Sequence, residues 1–163
     1  MDYLWTPWRY QYVTEGAGAK GCVLCDVAAS NDDEATLIVH RGKANYVVLN
    51  RYPYTSGHAM IVPYQHVATL EQSPDGVLQE MMRLAQRMES ALRSLYHAAG
   101  VNLGMNIGEA AGAGVAGHIH MHVLPRWVAD SNFMTVVGET RVLPEDLRVT
   151  RKRLLAVFAG AEK

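Results

Sequence analysis

The chain is poor in the features that mark easily recognised classes. It has two cysteines in 163 residues, too few for a disulfide framework. Charged residues make up only 19% of it, and 15 Lys and Arg stand against 16 Asp and Glu, a formal net charge of −1. An excess of one sign is missing, and with it the broad basic surface of a nucleic-acid binder. The sequence pI of about 6.6 agrees. Long apolar runs are missing too: no stretch approaches the ~20 residues that span a bilayer, and mean hydropathy is −0.05. The opening MDYLWTPWRYQYV has an early Asp2 and no apolar run of signal-peptide length. The expected compartment is the cytoplasm, with no membrane and no nucleic acid as partner. Internal repeats and low-complexity tracts are absent as well.

What is present is enough for one domain over 1–163. At 49% hydrophobic residues the chain buries a core without needing a metal or disulfide merely to fold. Residues 1–21 read as an aromatic, then Gly-rich arm, and 128–163 as a C-terminal extension ending in a helix. Three β-rich runs follow the arm, over 36–40, 45–50 and 58–62, with Pro63 closing the third. Ser73, Pro74 and Asp75 read as a helix N-cap, first position and acidic first turn. Val77, Met81, Leu84, Met88, Leu92 and Leu95 then recur at helical spacing, and Gly100 closes the helix. The Met-rich stripe is core, since Met fills irregular gaps. Strands are expected over 101–107 and 118–124, and Pro144 opens a last helix carrying Leu147, Arg151, Leu154 and Phe158. This order lacks βαβ alternation. It predicts an α+β fold: an antiparallel sheet of about five strands, a long central helix and a C-terminal helix.

Seven histidines are unevenly spread. His118, His120 and His122 alternate with Ile119 and Met121, the period of a strand, so three imidazoles are expected on one face. One ion cannot take all three. On an extended strand His118 and His122 lie about 13 Å apart, whereas nitrogens on one zinc lie only about 3.3 Å apart. One or two could ligate with help from elsewhere; the other reading is nucleophilic and acid–base work by neutral imidazoles around an electrophile. The segment upstream favours the second. It is Gly-rich, and Gly112, Ala113, Gly114 and Gly117 fit G-x-G-x-x-G. A dinucleotide fingerprint would open a helix, but this segment leads into a strand. What remains is a loop whose backbone N–H groups can approach phosphate oxygens. The spacing Cys22-Val-Leu-Cys25 suits a metal knuckle or redox pair better than a structural disulfide, but it follows a Gly-rich loop, whereas a redox motif usually sits where a strand enters a helix. Trp5, Trp8 and Trp127 suit either packing or stacking on a base. His40 and His97 carry no motif, though His97 is well placed at a helix C-terminus.

His118-Ile-His-Met-His-Val-Leu124 resembles the signature of the histidine triad (HIT) family of nucleotide hydrolases and transferases, and the likeness runs over roughly 22–127. Leu4-Trp-Thr-Pro-Trp-Arg9 and the stretch from Pro125-Arg-Trp127 to Pro144 resemble the bacterial branch near diadenosine tetraphosphate phosphorylases and fragile-histidine-triad-like hydrolases. The resemblance implies a HIT-like fold, a homodimer and a nucleotide substrate cleaved at its α-phosphate through a nucleotidyl-histidine. No cofactor is required for that chemistry. His120 matches the nucleophile, His122 a phosphate-contacting histidine, His118 the first triad member and His58 a supporting histidine. Asn50 matches a ribose-binding Asn, and Asn106 stands where relatives place a phosphate-contacting Gln or Asn. Gly112, Ala113, Gly114 and Trp127 complete the expected substrate contacts. Cys22, Cys25, His66 and His118 match a structural zinc site of some bacterial relatives, with two reduced thiols and no metal as the alternative. Many family hydrolases carry Gln then Ser or Thr before the triad, but Ala113 and Gly114 stand here, and neither can hydrogen-bond an attacking water. Water or inorganic phosphate is therefore open as second acceptor. A nucleoside phosphoramidate hydrolase of the same fold and a nucleotide-binding signalling module are the rival readings.

Overall fold

Short branched runs and one long amphipathic stripe organise the chain. The computed structural model describes residues 21–130 and 145–160. The elements are α1 (Val23–Ala29), β1 (Ile38–Arg41), β2 (Asn45–Leu49), β3 (Ala59–Pro63), α2 (Asp75–Tyr96), β4 (Gly100–Gly104), β5 (Met121–Arg126) and α3 (Leu147–Gly160). All strand pairs are antiparallel, in the order β1-β2-β3-β5-β4. The fold is α+β, as the element order predicts.

β2 lies between β1 and β3, and all five of its residues are buried. α2 buries Met81, Leu84, Ala85, Met88, Ala91 and Leu92, the expected Met-rich stripe, and packs across β3 and β5. α3 lies against β1 and α2 through Leu154 and Phe158. Glu80 of α2 ties the helix to the β1–β2 turn. Its carboxylate accepts the backbone N–H groups of Lys43, Ala44 and Asn45 and the side-chain amide of Asn45, all at 2.7–2.9 Å. Burial alone would raise the pKa of this carboxyl, but the four donors outweigh it and hold the group below its usual range.

Several expected boundaries shift. The Cys22–Cys25 segment, to which the sequence assigns no element, opens the seven-residue α1, with Cys22 at the N-cap. Pro74, not Ser73, is the N-cap of α2, because Pro74 keeps extended dihedrals and the first helical residue is Asp75. His97 ends that helix in the left-handed conformation, φ 50°, which leaves Gly100 to open β4. β4 stops at Gly104, short of 107. β5 starts at Met121, so His118 and Ile119 lie ahead of the strand: Ile119 N–H donates instead to Val67 at 2.8 Å. α3 begins at Leu147, where Asp146 Oδ1 accepts the N–H of Arg148 at 2.8 Å. Trp5, Trp8 and Pro144 lie outside the described residues.

Candidate active site

Strand register brings the site together. β5 pairs Met60 with His122 and Gly104 with His122, so His122 sits between β3 and β4. His58 stands one residue before β3. Its Nε2 lies 2.9 Å from His122 Nδ1, although 64 positions separate them in sequence. The His120 and His122 rings meet edge to face, with centroids 5.0 Å apart. His58 and His120 are 1% and 6% exposed, so their tautomers matter.

The hydrogen-bond network assigns those tautomers. The backbone N–H of Tyr54 can only donate, and it points at His58 Nδ1 from 3.1 Å. His58 Nδ1 is therefore an acceptor and its proton is on Nε2. That N–H donates to His122 Nδ1, which leaves the His122 proton on Nε2. His120 runs the other way. Its Nδ1–H donates to the carbonyl of His118 at 2.9 Å, so Nε2 carries a lone pair. Among the described residues neither outer Nε2 has a hydrogen-bond partner. A lone pair and an N–H donor therefore stand side by side on neighbouring rings. Burial, and then the proximity of His120, push the pKa of His122 down to about 4. It is neutral at physiological pH and presents an N–H dipole, not a cation.

His118 departs from the single-face expectation. It is fully buried, and its ring meets that of His66, edge to face at 5.0 Å. Its Nδ1 lies 3.3 Å from Cys22 Sγ and 3.5 Å from Cys25 Sγ, and Cys25 Sγ lies 3.3 Å from His66 Nδ1. The four donor atoms all fall within 4.8 Å of one another. A tetrahedral Cys2His2 zinc has ligand-to-ligand edges of about 3.3–3.8 Å, given bonds of about 2.0–2.3 Å. The donor set and its spacing fit such an ion. Sequence spacing alone brought His66 to this group only by resemblance; the turn after β3 and the start of α1 supply the reason.

The loop from β4 to β5 starts after Gly104, the register partner of His122. Gly108 and Gly112 both take φ +83°, open to Gly and strained for other residues, and a side chain at either would meet open space. A short 3-10 turn, Glu109–Ala111, lies between them, and Ala113 N–H closes back on the Gly108 carbonyl at 3.3 Å. Gly112 and Gly114 are exposed and Ala113 half-buried. Asn106 is half-buried, two residues past Gly104; the β4–β5 register, continued that far, sets it level with His120. Asn50 ends β2 with its Oδ1 accepting Tyr52 N–H at 2.9 Å. Its Nδ2 lies 3.5 Å from His58 Nε2, donor against donor, and so does not bond there. Trp127 is not beside the pair. It lies five residues beyond His122, roughly 17 Å along an extended chain, and its indole N–H donates to the Tyr96 carbonyl at 2.9 Å. Tyr54 is a site residue that pattern reading missed. Its ring packs on His58 at 4.7 Å and near His122 at 6.1 Å. The backbone donor it supplies has no sequence signature.

Residues 31–128 match the model of the HIT domain. The chain belongs to the HIT family. It is 38% identical to the AP-4-A phosphorylase of Mycobacterium tuberculosis (strain CDC 1551 / Oshkosh) over 98% of its own length and 85% of that protein's. It is 28% identical to an adenosine 5'-monophosphoramidase of Saccharomyces cerevisiae, covering 86% of this chain and 85% of the other. Among solved structures it resembles a zinc-bound histidine triad family protein from Mycobacterium smegmatis, with a TM-score of 0.69 and 26% identity over 89% of this chain and 98% of that one. Among the described residues, no helix of this HIT chain is long and apolar enough to cross a membrane.

Proposed function

We propose that this protein is a nucleotidyl transferase that cleaves a dinucleoside polyphosphate of the diadenosine tetraphosphate type, with inorganic phosphate as second acceptor. The observation that carries it is the pairing of an outward lone pair on His120 with an outward N–H on His122. His120 Nε2 attacks the α-phosphorus. The Nε2–P bond forms as the P–O bond to the polyphosphate breaks, and the electron pair leaves on that oxygen. The positive charge left on the imidazole is met by its Nδ1–H bond to the His118 carbonyl. His122 Nε2–H, held by His58, donates to the phosphoryl oxygen where charge builds. In the second step a phosphate oxygen displaces His120, and ADP leaves.

Three features support phosphate over water. No side chain at Ala113 or Gly114 can orient a water, the Gly112 backbone leaves open space, and the 38% identical relative is named a phosphorylase. Asn50 serves the ribose through Nδ2, and Asn106 together with the 112–114 backbone serves the phosphates. Cys22, Cys25, His66 and His118 hold a structural zinc that pins α1 to the triad segment; the ion would add no step to the transfer. A homodimer in the cytoplasm completes the reading. The outer edge of β4, where Leu103 is 45% exposed, supports the association.

Product analysis with and without phosphate tests the acceptor. Diadenosine tetraphosphate should give ADP and ATP only when phosphate is present; equal rates of AMP release without phosphate would overturn it. His120→Asn should lower turnover by roughly 10³-fold or more while the fold and nucleotide binding persist.

A further inference from the structure

Outside the reactive pair, the densest chemistry is the Cys22, Cys25, His66 and His118 group, and one residue belongs to both. We propose that Cys22, Cys25 and His66 are positioning residues for His120: by gripping His118 through zinc they set the carbonyl that fixes the His120 tautomer. This rests on the zinc and transfer readings above, and makes metal occupancy a control on the transfer step.

The contacts of His118 carry the inference. The Pro63 carbonyl, 2.9 Å from His118 Nε2, can only accept, so the proton is on Nε2. Nδ1 therefore offers a lone pair to the two sulfurs, the tautomer a metal ligand needs. The backbone N–H of His118 reaches the Val115 carbonyl at a long 3.3 Å, and its own carbonyl accepts His120 Nδ1–H at 2.9 Å. This stretch precedes β5, so the peptide carrying that carbonyl lies outside the sheet ladder; its one backbone tie is the Ile119 N–H bond to the Val67 carbonyl at 2.8 Å, and Val67 follows directly on His66. Three ligands from α1 and from the turn after β3 hold the side chain instead. Without them the ring keeps one tie, to Pro63. The peptide is then tied only through Val67, which shifts with its unliganded neighbour His66; the carbonyl turns with it, and His120 loses the acceptor that keeps its proton on Nδ1. Rotation or tautomer exchange would take the Nε2 lone pair out of line. Substrate affinity would change little, because that carbonyl contacts His120 and not the nucleotide.

The full-length protein is compared zinc-loaded, stripped by a chelator and reloaded with zinc, with folding followed by circular dichroism. Two readouts are taken: the single-turnover rate of nucleotidyl-histidine formation, and the His120 tautomer from long-range 15N correlation spectra at about pH 8, where imidazoles are neutral. The loaded protein should show a single Nδ1–H tautomer. Stripping should give a mixture and slow intermediate formation at least tenfold, with nucleotide Kd within threefold, and reloading should reverse both. A folded, stripped protein with unchanged tautomer and rate overturns the proposal, as does a protein that takes up no stoichiometric zinc. If stripping unfolds the chain, zinc-loaded Cys22→Ser decides. It should show the mixed tautomer, and a single Nδ1–H form in that variant overturns the coupling. If loaded protein never processes a dinucleotide, the transfer reading falls, and the tautomer comparison still judges the coupling.

Discussion

At His122 two effects act in one direction. Burial disfavours its charged form, and so does nearby His120. Its folded pKa of about 4 lies below the ordinary His value of 6.5. Between those values the unfolded chain binds more protons than the folded one, so stability falls as pH falls from about 6.5 toward about 4, and then levels. The loss from this residue is on the order of 3 kcal/mol. Urea unfolding of His122→Asn should show a visibly shallower pH dependence across that window than wild type; parallel curves would refute the assignment. At this scale the sequence was most readable for side chains. Alternating His118, His120 and His122 announced imidazole chemistry, and His58 and His66 came with the resemblance. Backbone donors and acceptors are identical at every residue. The Tyr54 N–H and the Pro63 and His118 carbonyls, which set the tautomers, therefore had no letter to announce them.

Among the elements, the connector from β2 to β3 is tightly constrained. Gly57 takes φ +83°, and a Cβ there would lie 2.9 Å from Leu92 Cδ2 and 3.3 Å from Pro125 Cγ. Gly57→Ala should therefore cost about 1–3 kcal/mol. Because the Tyr54 N–H and His58 flank this turn, turnover should fall by more than the loss of folded protein explains. Thermal melts and activity per folded molecule measure the two parts. Long elements were legible, since α2 repeats its apolar stripe over 22 residues. α1 was not: seven residues cannot sustain a helix unaided, and this one leans on the sheet through Leu24, whose carbonyl accepts Tyr46 OH at 2.7 Å. The triad segment misled for a related reason. Its alternation fits a strand, but Ile119 pairs with Val67 and His118 turns to the sulfurs, so the regular ladder waits until Met121.

For the whole molecule, the order β1-β2-β3-β5-β4 sets β5, which carries His122, between two neighbours and leaves β4 at an edge. Asn102, Leu103 and Gly104 are exposed there. Sedimentation should find a dimer, and Leu103→Glu should shift it toward monomer; a wild-type monomer at micromolar concentration would remove the edge from consideration. α3 is held independently of that edge. Arg87 donates to the Phe158 carbonyl at 3.1 Å and lies over its ring. Glu145 accepts from Tyr96 and Thr150 and pairs with Arg153. Strand order was not readable from the chain, because antiparallel strands joined by a long loop have no local rule saying which neighbour each takes.

The same order governs when the site can exist. The His58–His122 contact closes a separation of 64 residues and the Cys22–His118 contact one of 96. Contacts this distant form after local helices and hairpins, since their chain entropy is lost before they return any stabilisation. The lone pair on His120 is thus among the last features to be specified, after β5 has slid between β3 and β4. A partly folded or still-emerging chain can carry every residue of the site and yet remain chemically silent toward the nucleotides around it.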